Sequence, residues 1–254
     1  LSAASPLRAA DTHAEYTALL RDHVKDGVVN YVAIAEDPRL DRYLEQLAAT
    51  NPEELERNDQ IAYWLNVYNA YTLKVISDNL PLESISELHM WGSLYIGVVL
   101  GETVWEDWEF PLYNGKMYTL DQVEHAILRP VYKDYRHHAA MVCAARSCPP
   151  LRSEAYEGDR IDAQLDDQMR TWLANPFWNR YDEANQQLLL SSIFNWFEDD
   201  FIRDGRELFD VILPYWPKDV RAALTRDRAT LRSKHLTYDW SLNDRPATLE
   251  DVEN

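Results

Sequence analysis

The segment from Asp59 to Asn79 constrains the fold most strongly, because it is apolar on more than one face of a helix. Its sequence, DQIAYWLNVYNAYTLKVISDN, places aromatic and aliphatic side chains all around the helical wheel. A surface helix needs only one apolar stripe, whereas a helix that is apolar all round is buried. The sequence therefore predicts a long central helix, ended by Pro81, with other elements packed against it on several sides.

Two asparagines, Asn66 and Asn69, lie three residues apart on one side of this predicted helix. Asparagine is a poor helix former, and a buried amide without hydrogen bonds is costly. Both side chains must therefore find hydrogen-bond partners in the folded protein. Two interpretations are open: the amides anchor a neighbouring loop, or they line a site and bind a substrate carbonyl or orient a base.

The composition restricts the classes of function. The 254 residues include 43 Asp and Glu against 25 Lys and Arg, which gives a formal net charge of −18. Nucleic acids and anionic membranes are bound through Lys and Arg, so we expect neither as a partner. Apolar runs are shorter than the roughly 20 residues that span a bilayer, so we expect no membrane insertion. The charge is typical of a highly soluble protein, and a cationic substrate is the alternative interpretation.

Reactive side chains concentrate between residues 119 and 151. This stretch holds both cysteines of the chain, Cys143 and Cys148, and three of its seven histidines. The pattern predicts a helix over about 120–128, stopped by Pro130, and then a short strand over about 138–144. Functional groups are commonly placed at strand ends and loop corners of this kind.

The other patterns predict helices with a few short strands, and therefore an α+β fold with helices packed around a small antiparallel sheet. A hairpin is predicted at Asn114-Gly115, and a capping box at Thr119-x-x-Gln122. Further helices are predicted around 16–24, 40–47, 160–174, 192–201, 208–215 and 219–231, and strands within 92–101, at 187–190 and at 235–242.

Cys143 is a candidate nucleophile, because a cysteine near a histidine can form the reactive thiolate. His138 is the nearest histidine in sequence on the same predicted strand. Five residues of strand would separate the two side chains by about 16 Å and point them to opposite faces. His138 can therefore act as the base only if the chain bends; otherwise the base is His125. Glu124 is the natural group to orient the ring.

Two alternatives to a thiol nucleophile are open for the same residues. Cys143 and Cys148 could form a disulfide that closes a short loop, which is favoured in an oxidising compartment. Cys148, beside two prolines, is also a second candidate nucleophile. A zinc site is the less favoured alternative, because the His and Cys spacing matches no common zinc motif. We therefore expect neither a metal nor a cofactor.

Four motifs of this chain stand out by their order and spacing: AYWLNVYNA at 62–70, TLDQVEHAILR at 119–129, DYRHHAAMVCAARSCPPL at 134–151 and IFNWFEDDF at 193–201. Together they resemble the family called domain of unknown function 547, found in bacteria and plants. The family implies a polar set that includes Cys143, whereas Cys148 occupies a more variable position. Residues 137, 139 and 140 depart from the usual bulkier apolar residues, which implies altered strand packing.

The resemblance implies a fold related to papain-like and transglutaminase-like proteins, in a single domain over residues 1–254. Residues 1–58 would be a helical N-terminal segment, 59–201 the family core and 202–254 a C-terminal extension. The family itself has no established activity. The small-residue start LSAASP, without Met, predicts an exported protein, periplasmic or extracellular, whose signal peptide has been removed.

The combined hypothesis is a cysteine-dependent hydrolase or acyltransferase acting on an amide, peptide or ester bond of an unknown peptide or protein substrate. Cys143 would be the nucleophile, His138 or His125 the base and Glu124 the orienting carboxylate. Asn66 and Asn69 would bind the substrate or its oxyanion. The alternative is a non-catalytic binding domain in which the polar groups form a buried network and the cysteines are bridged.

Overall fold

The computed structural model describes residues 13–88 and 103–248. Short 3₁₀ turns aside, its helices are α1 (Ala14–His23), α2 (Tyr31–Ala35), α3 (Pro38–Ala49), α4 (Arg57–Asp78), α5 (Val104–Asp107), α6 (Gln122–Tyr132), α7 (His137–Ala140), α8 (Ile161–Ala174), α9 (Ile193–Trp196), α10 (Glu198–Phe201), α11 (Leu208–Ile212) and α12 (Lys218–Asp227). Its strands are β1 (Val24–Lys25), β2 (Val28–Val29), β3 (Phe110–Pro111), β4 (Met117–Tyr118), β5 (Arg180–Asp182), β6 (Gln187–Leu190) and β7 (Arg232–His235).

The central helix α4 confirms the prediction of a helix buried nearly all round. Every residue from 61 to 73 is buried, and burial continues to residue 77 with one interruption. Helices α2, α3, α6 and α8 all contact α4. A helix surrounded in this way has little free rotation, so side chains on its flanks can position other segments accurately.

The strands of the described residues form three small sheets, and the fold is a mixed helical and sheet structure of the α+β kind. Strand β1 pairs with β2, and β3 with β4, both antiparallel. The third sheet has the order β5-β6-β7, with an antiparallel pair and then a parallel pair. The antiparallel sheet expected from the sequence is thus divided into small pieces, one of which contains a parallel strand.

The buried side chains form two apolar clusters. The first surrounds α4, and the second packs around rings such as Trp172 and Phe194, whose centroids are 4.5 Å apart. Ala139 belongs to the second cluster, whereas Ala140 and Val142 belong to the first. The chain leading to Cys143 therefore passes from one cluster into the other.

The strand predicted over 138–144 is wrong, because no strand forms there and Ala144 near its end has φ 64°. His137 to Ala140 form the helical turn α7, and the chain becomes extended only from Met141, at φ −84° and ψ 127°. The turn is favoured upstream, where the backbone carbonyl of Asp134 accepts from the N–H of His137 at 3.2 Å. Four buried residues in a row suit a helical turn between two clusters as well as they suit a strand.

Helix α6 also differs from its prediction, because it continues through Pro130 to Tyr132. It is a wide π-type helix, and its larger turn accommodates a proline ring that would break a regular α-helix. The helix ends at Lys133, which adopts the left-handed conformation with φ 58°. Helices of this type are rare and are frequent at functional sites.

Two local signals are confirmed by their hydrogen bonds. The Thr119 N–H donates to Gln122 Oε1 at 3.3 Å and the Gln122 N–H donates to Thr119 Oγ1 at 3.2 Å, a complete capping box at the start of α6. Asn114 and Gly115 have φ of 59° and 69°, and they join β3 to β4 as the hairpin signal predicts. The capping box and the hairpin turn both depend only on residues that are close in the sequence.

The other predicted helices and strands agree in part with the structure. Helix α8 and strand β6 lie where they are predicted. The final strand is shifted: β7 ends at His235, and downstream only single bridges form, from Ser241 to Ser84 and from Leu242 to Ala145. The helix predicted over 192–201 is divided at Phe197 into α9 and α10. The strand predicted within 92–101 lies outside the described residues.

Candidate functional site

A cavity of about 290 Å³ brings together five of the residues singled out in the sequence, Glu124, His125, His138, Cys143 and Cys148. Helix α6 supplies the first two and the segment from α7 to the cysteine corner supplies the others. The remaining walls come from α4, α5, α9 and the stretch 238–240. The lining residues share aromatic or acidic character for the most part, and include Tyr68, Trp105, Glu106, Asp121, Trp196, Phe197, Tyr238 and Trp240.

The bend between His138 and Cys143 removes the geometric objection that a straight strand would raise. His138 lies in the helical turn α7, whereas Cys143 follows in a segment without regular secondary structure, so the two side chains do not alternate across a sheet. Both line the same cavity. The condition under which His138 could serve Cys143, a bend in the chain, is therefore met.

Asp200, on α10, holds the ring of His138. Its Oδ2 atom lies 2.8 Å from His138 Nε2 and 2.5 Å from Arg129 Nε, and its Oδ1 accepts from Arg203. Burial acts to raise the pKa of Asp200, but the hydrogen bonds from His138 and Arg129 hold it well below its usual range. Phe197 stacks on the His138 ring at 4.2 Å between centroids, which fixes the plane of the imidazole.

The contact with Asp200 assigns the proton of the His138 ring. An ionised carboxylate only accepts hydrogen bonds, so the facing Nε2 atom of His138 must carry the hydrogen. In the neutral ring the lone pair then belongs to Nδ1, which is the atom able to accept a proton. A carboxylate that fixes the tautomer of a histidine in this way also stabilises the imidazolium once it forms.

Glu124 and His125 take other partners than those predicted for them. The Glu124 carboxylate is hydrogen-bonded to the hydroxyl of Tyr68; burial is the main cause that raises the pKa of Tyr68, and the neighbouring Glu124 raises it further. The side chain of Glu124 is 14% exposed, whereas that of His125 is 41% exposed. Nδ1 of His125 lies 2.5 Å from Arg129 Nη1. The contact with His138 predicted for Glu124 is made by Asp200.

The two cysteines are joined by a disulfide. The backbone N–H of Cys143 donates to Sγ of Cys148 at 3.0 Å, which closes the corner tightly. The Tyr238 hydroxyl lies 3.3 Å from Sγ of Cys143 and 3.2 Å from Sγ of Cys148. Burial and then the negative charge of Glu124 raise the pKa of Tyr238, so the phenol stays protonated and can donate a hydrogen bond.

Asn66 and Asn69 act as clamps on the backbone. Asn69 donates to the carbonyl of Ala140 at 2.9 Å and accepts from the N–H of Val142 at 2.9 Å. Asn66 makes the same pair of bonds with Tyr156, at 2.8 and 2.9 Å. Neither is among the described residues that line the cavity. Their contacts agree with the loop-anchoring interpretation, and Asn69 holds the bend that brings His138 and Cys143 together.

His137, the neighbour of His138, is fully buried outside the cavity, and no hydrogen bond of normal geometry reaches either ring nitrogen. Burial lowers its pKa from 6.5 to about 4. Over residues 13–88 and 103–248, no group of three or more His, Cys, Asp or Glu side chains is arranged to hold a metal ion.

Sequence reasoning missed Asp200 and Tyr238 as site residues. Asp200 lies 62 residues from His138 but within the motif IFNWFEDDF. The sequence therefore shows the motif that contains Asp200 but not its contact with His138. Tyr238 lies 95 residues from Cys143 and carries no local signal. Tyr238 reaches the cavity, and Asp200 reaches His138, only through the packing of the C-terminal part of the chain.

The fold and the cavity define a mixed α+β domain with a cysteine pair beside a carboxylate-held histidine. Residues 52–173 match the model of the family described as "Protein of unknown function, DUF547". The match confirms the resemblance seen in the motifs and includes Glu124, His138 and Cys143. No curated protein and no solved structure matched the chain.

Over residues 13–88 and 103–248, no helix has the length and apolarity to cross a membrane.

Proposed function

We propose that the cavity is the site of a cysteine-dependent hydrolase or acyltransferase that acts on an amide, peptide or ester bond once the Cys143–Cys148 disulfide is reduced. The observation that carries the proposal is the ring of His138, held by Asp200 at 2.8 Å in the wall of the cavity that Cys143 also lines. A cysteine, a histidine and an orienting carboxylate are the parts that thiol acyl transfer requires.

The reaction begins with a dithiol reductant, which is oxidised as the protein disulfide becomes two thiols. His138 then takes the proton of Cys143, and the thiolate attacks the carbonyl carbon. Collapse of the tetrahedral intermediate breaks the bond to the leaving amine or alcohol, which receives the proton from His138. Water or a second acceptor then releases the acyl group from its thioester with Cys143, with His138 as the base again.

Tyr238 is the oxyanion donor in this proposal, and Asp200 is a positioning residue. The Tyr238 hydroxyl lies 3.3 Å from Sγ of Cys143, within reach of an oxygen that forms beside the sulfur. The sequence predicted this oxyanion-binding role for Asn66 and Asn69. These two residues contribute by fixing the backbone, and Glu124 contributes to the wall of the cavity through Tyr68.

The alternative function, a binding domain without catalysis, is supported by the disulfide itself. A bridged Cys143 has no thiol to act as nucleophile, and the aromatic lining suits binding of a small ligand. Export to an oxidising compartment is part of this alternative and is supported by the same bond. A papain-like or transglutaminase-like core is likewise a proposal, supported by Cys143 and His138 lining one cavity while Asp200 holds the His138 ring.

Alkylation of the purified chain with iodoacetamide, followed by peptide mass mapping, tests the proposal. Without reductant we expect no modified cysteine. After dithiothreitol we expect Cys143 to react with a pH midpoint below the ordinary cysteine value of about 8.5. His138→Gln should raise that midpoint, because the ring no longer stabilises the thiolate.

A matched control is His235→Gln, since His235 is exposed on β7 and lies outside the cavity. It should leave the midpoint unchanged. An acyl-type thiol probe should label reduced wild type and Cys148→Ala but not Cys143→Ala. Equal midpoints in reduced wild type and His138→Gln, at or above the ordinary value, would rule out the thiol site and favour the binding domain.

A further inference from the structure

The cavity has one wall of stacked and tilted rings. The ring centroids of Trp196 and Tyr238 are 4.7 Å apart, those of Tyr238 and Trp240 are 4.5 Å apart, and those of Trp240 and Trp105 are 5.9 Å apart. Trp196 is 46% exposed, which is unusual for so large an apolar side chain. A partly open aromatic wall at a cavity is typical of a surface that stacks on a ligand.

Acidic side chains also line the cavity. Glu124, Asp121 and Glu106 line it, and among the described residues its lining contains no Lys or Arg. The side chain of Glu124 is only 14% exposed, and it contacts the Tyr68 hydroxyl and His125, whose Nε2 lies 3.9 Å from Oε1. A largely buried carboxylate is costly unless a cation compensates it.

The cations near the cavity are committed to other contacts. Arg129 is bound to Asp200 and to His125, and its guanidinium lies 4.8 Å from the Phe197 ring centroid. His138 is bound to Asp200. Arg129 and His138 therefore do not neutralise the negative charge of Glu124 at the cavity.

We propose that this cavity binds a small organic cation, with its charged head between the Glu124 carboxylate and the ring wall of Trp196, Tyr238 and Trp240. Aromatic faces attract cations, and a partly desolvated carboxylate adds a direct charge interaction. The volume of about 290 Å³ suits a ligand or a side chain with a cationic end. If the proposed thiol chemistry holds, the substrate carries this cation; binding itself does not depend on that chemistry.

Isothermal titration of the oxidised protein at low ionic strength tests the proposal, because no free thiol is then present. The probe is choline, and its control is the neutral isostere 3,3-dimethylbutan-1-ol. We expect choline to bind at least tenfold more tightly than the alcohol. Nα-acetyl-lysine methylamide, titrated in parallel, distinguishes a basic peptide side chain from a quaternary ammonium ligand, and tighter binding of either cation supports the proposal.

Two variants locate the site. Glu124→Gln keeps the shape and removes the charge, and should weaken binding of the cation by tenfold or more. Glu45→Gln removes one charge from an exposed position on α3 and should have no effect. Trp196→Leu, at a partly exposed position where folding is expected to survive, should also weaken binding.

Failure of the cation hypothesis is distinct from failure of the thiol site. Failure of both choline and the lysine derivative to bind more tightly than the alcohol, absence of binding by all three probes, or unchanged affinity in both Glu124→Gln and Trp196→Leu would overturn the cation site. The alkylation experiment is unaffected by these results, since it reports on Cys143 in the reduced protein alone.

Discussion

Buried His137 should make the protein acid-sensitive in a measurable way. In the folded state burial lowers its pKa from 6.5 to about 4, against the smaller opposing influence of Asp134. An unfolded chain binds the proton near pH 6.5, so between these two values the unfolded state holds more protons than the folded state. His137 therefore leaves the free energy of unfolding unchanged above pH 7, and lowers it progressively as the pH drops from 6.5 towards 4.

The size of the effect follows from the pKa difference. A difference of about 2.5 pH units corresponds to about 3 kcal/mol when fully developed. At pH 5 about 2 kcal/mol of this loss should already be present, because the unfolded state is then almost fully protonated at this position. That pH stays above the isoelectric point of about 4.7, where the protein would lose its net charge.

The substitution His137→Leu isolates the contribution of His137 to the pH dependence of stability. It removes the titrating group from a position where neither ring nitrogen has a hydrogen bond of normal geometry. Urea unfolding followed by tryptophan fluorescence gives the free energy of unfolding at pH 7.5, 6 and 5. The difference between variant and wild type should shift in favour of the variant by about 2 kcal/mol from pH 7.5 to pH 5.

The control is His235→Leu, because His235 is exposed on β7 and its removal should produce no pH-dependent difference. Carboxylates such as Asp200 also lose their native interactions in acid, but they do so equally in wild type and variant. A His137→Leu difference that stays constant between pH 7.5 and pH 5 would refute the reasoning, and would mean that the His137 ring is protonated equally in the folded and unfolded states.

Three further outcomes are expected in urea unfolding. Asn69→Ala should cost about 3 kcal/mol, because two buried backbone groups at 140–142 lose their partner; a cost below 1 kcal/mol would contradict the clamp. Thr119→Ala should cost about 1 kcal/mol through loss of the cap; no change would mean that the cap contributes nothing. Reduction of Cys143–Cys148 should cost about 2 kcal/mol, as expected for a short loop, and an unchanged midpoint would exclude a stabilising role.

Long-range contacts explain where sequence reasoning about the site stopped. Glu124 and His125 are adjacent, and the capping box places them correctly at the start of α6. Yet the carboxylate that holds His138 is that of Asp200, 62 residues away. A local pattern favours the neighbouring acid as the partner, whereas the actual partner depends on how α10 packs against α7.

The strand predicted over 138–144 failed for a related reason. An apolar run of this length fits a buried strand and a buried helical turn equally well. The choice is made by Asn69, whose side chain holds the backbone at Ala140 and Val142, and by the division of Ala139 and Ala140 between two apolar clusters. No neighbouring residue carries this information.

By itself the sequence determined the elements that depend on nearby residues: the buried helix α4, the cap at Thr119, the turn at Asn114 and the collection of reactive groups on one stretch. Periodic burial, side-chain capping and positive φ act within a few residues, so they can be read from the sequence. The tertiary structure alone decided which groups meet at the cavity. Partners such as Asp200 and Tyr238 come from distant segments, and only the packing of the two apolar clusters brings them together.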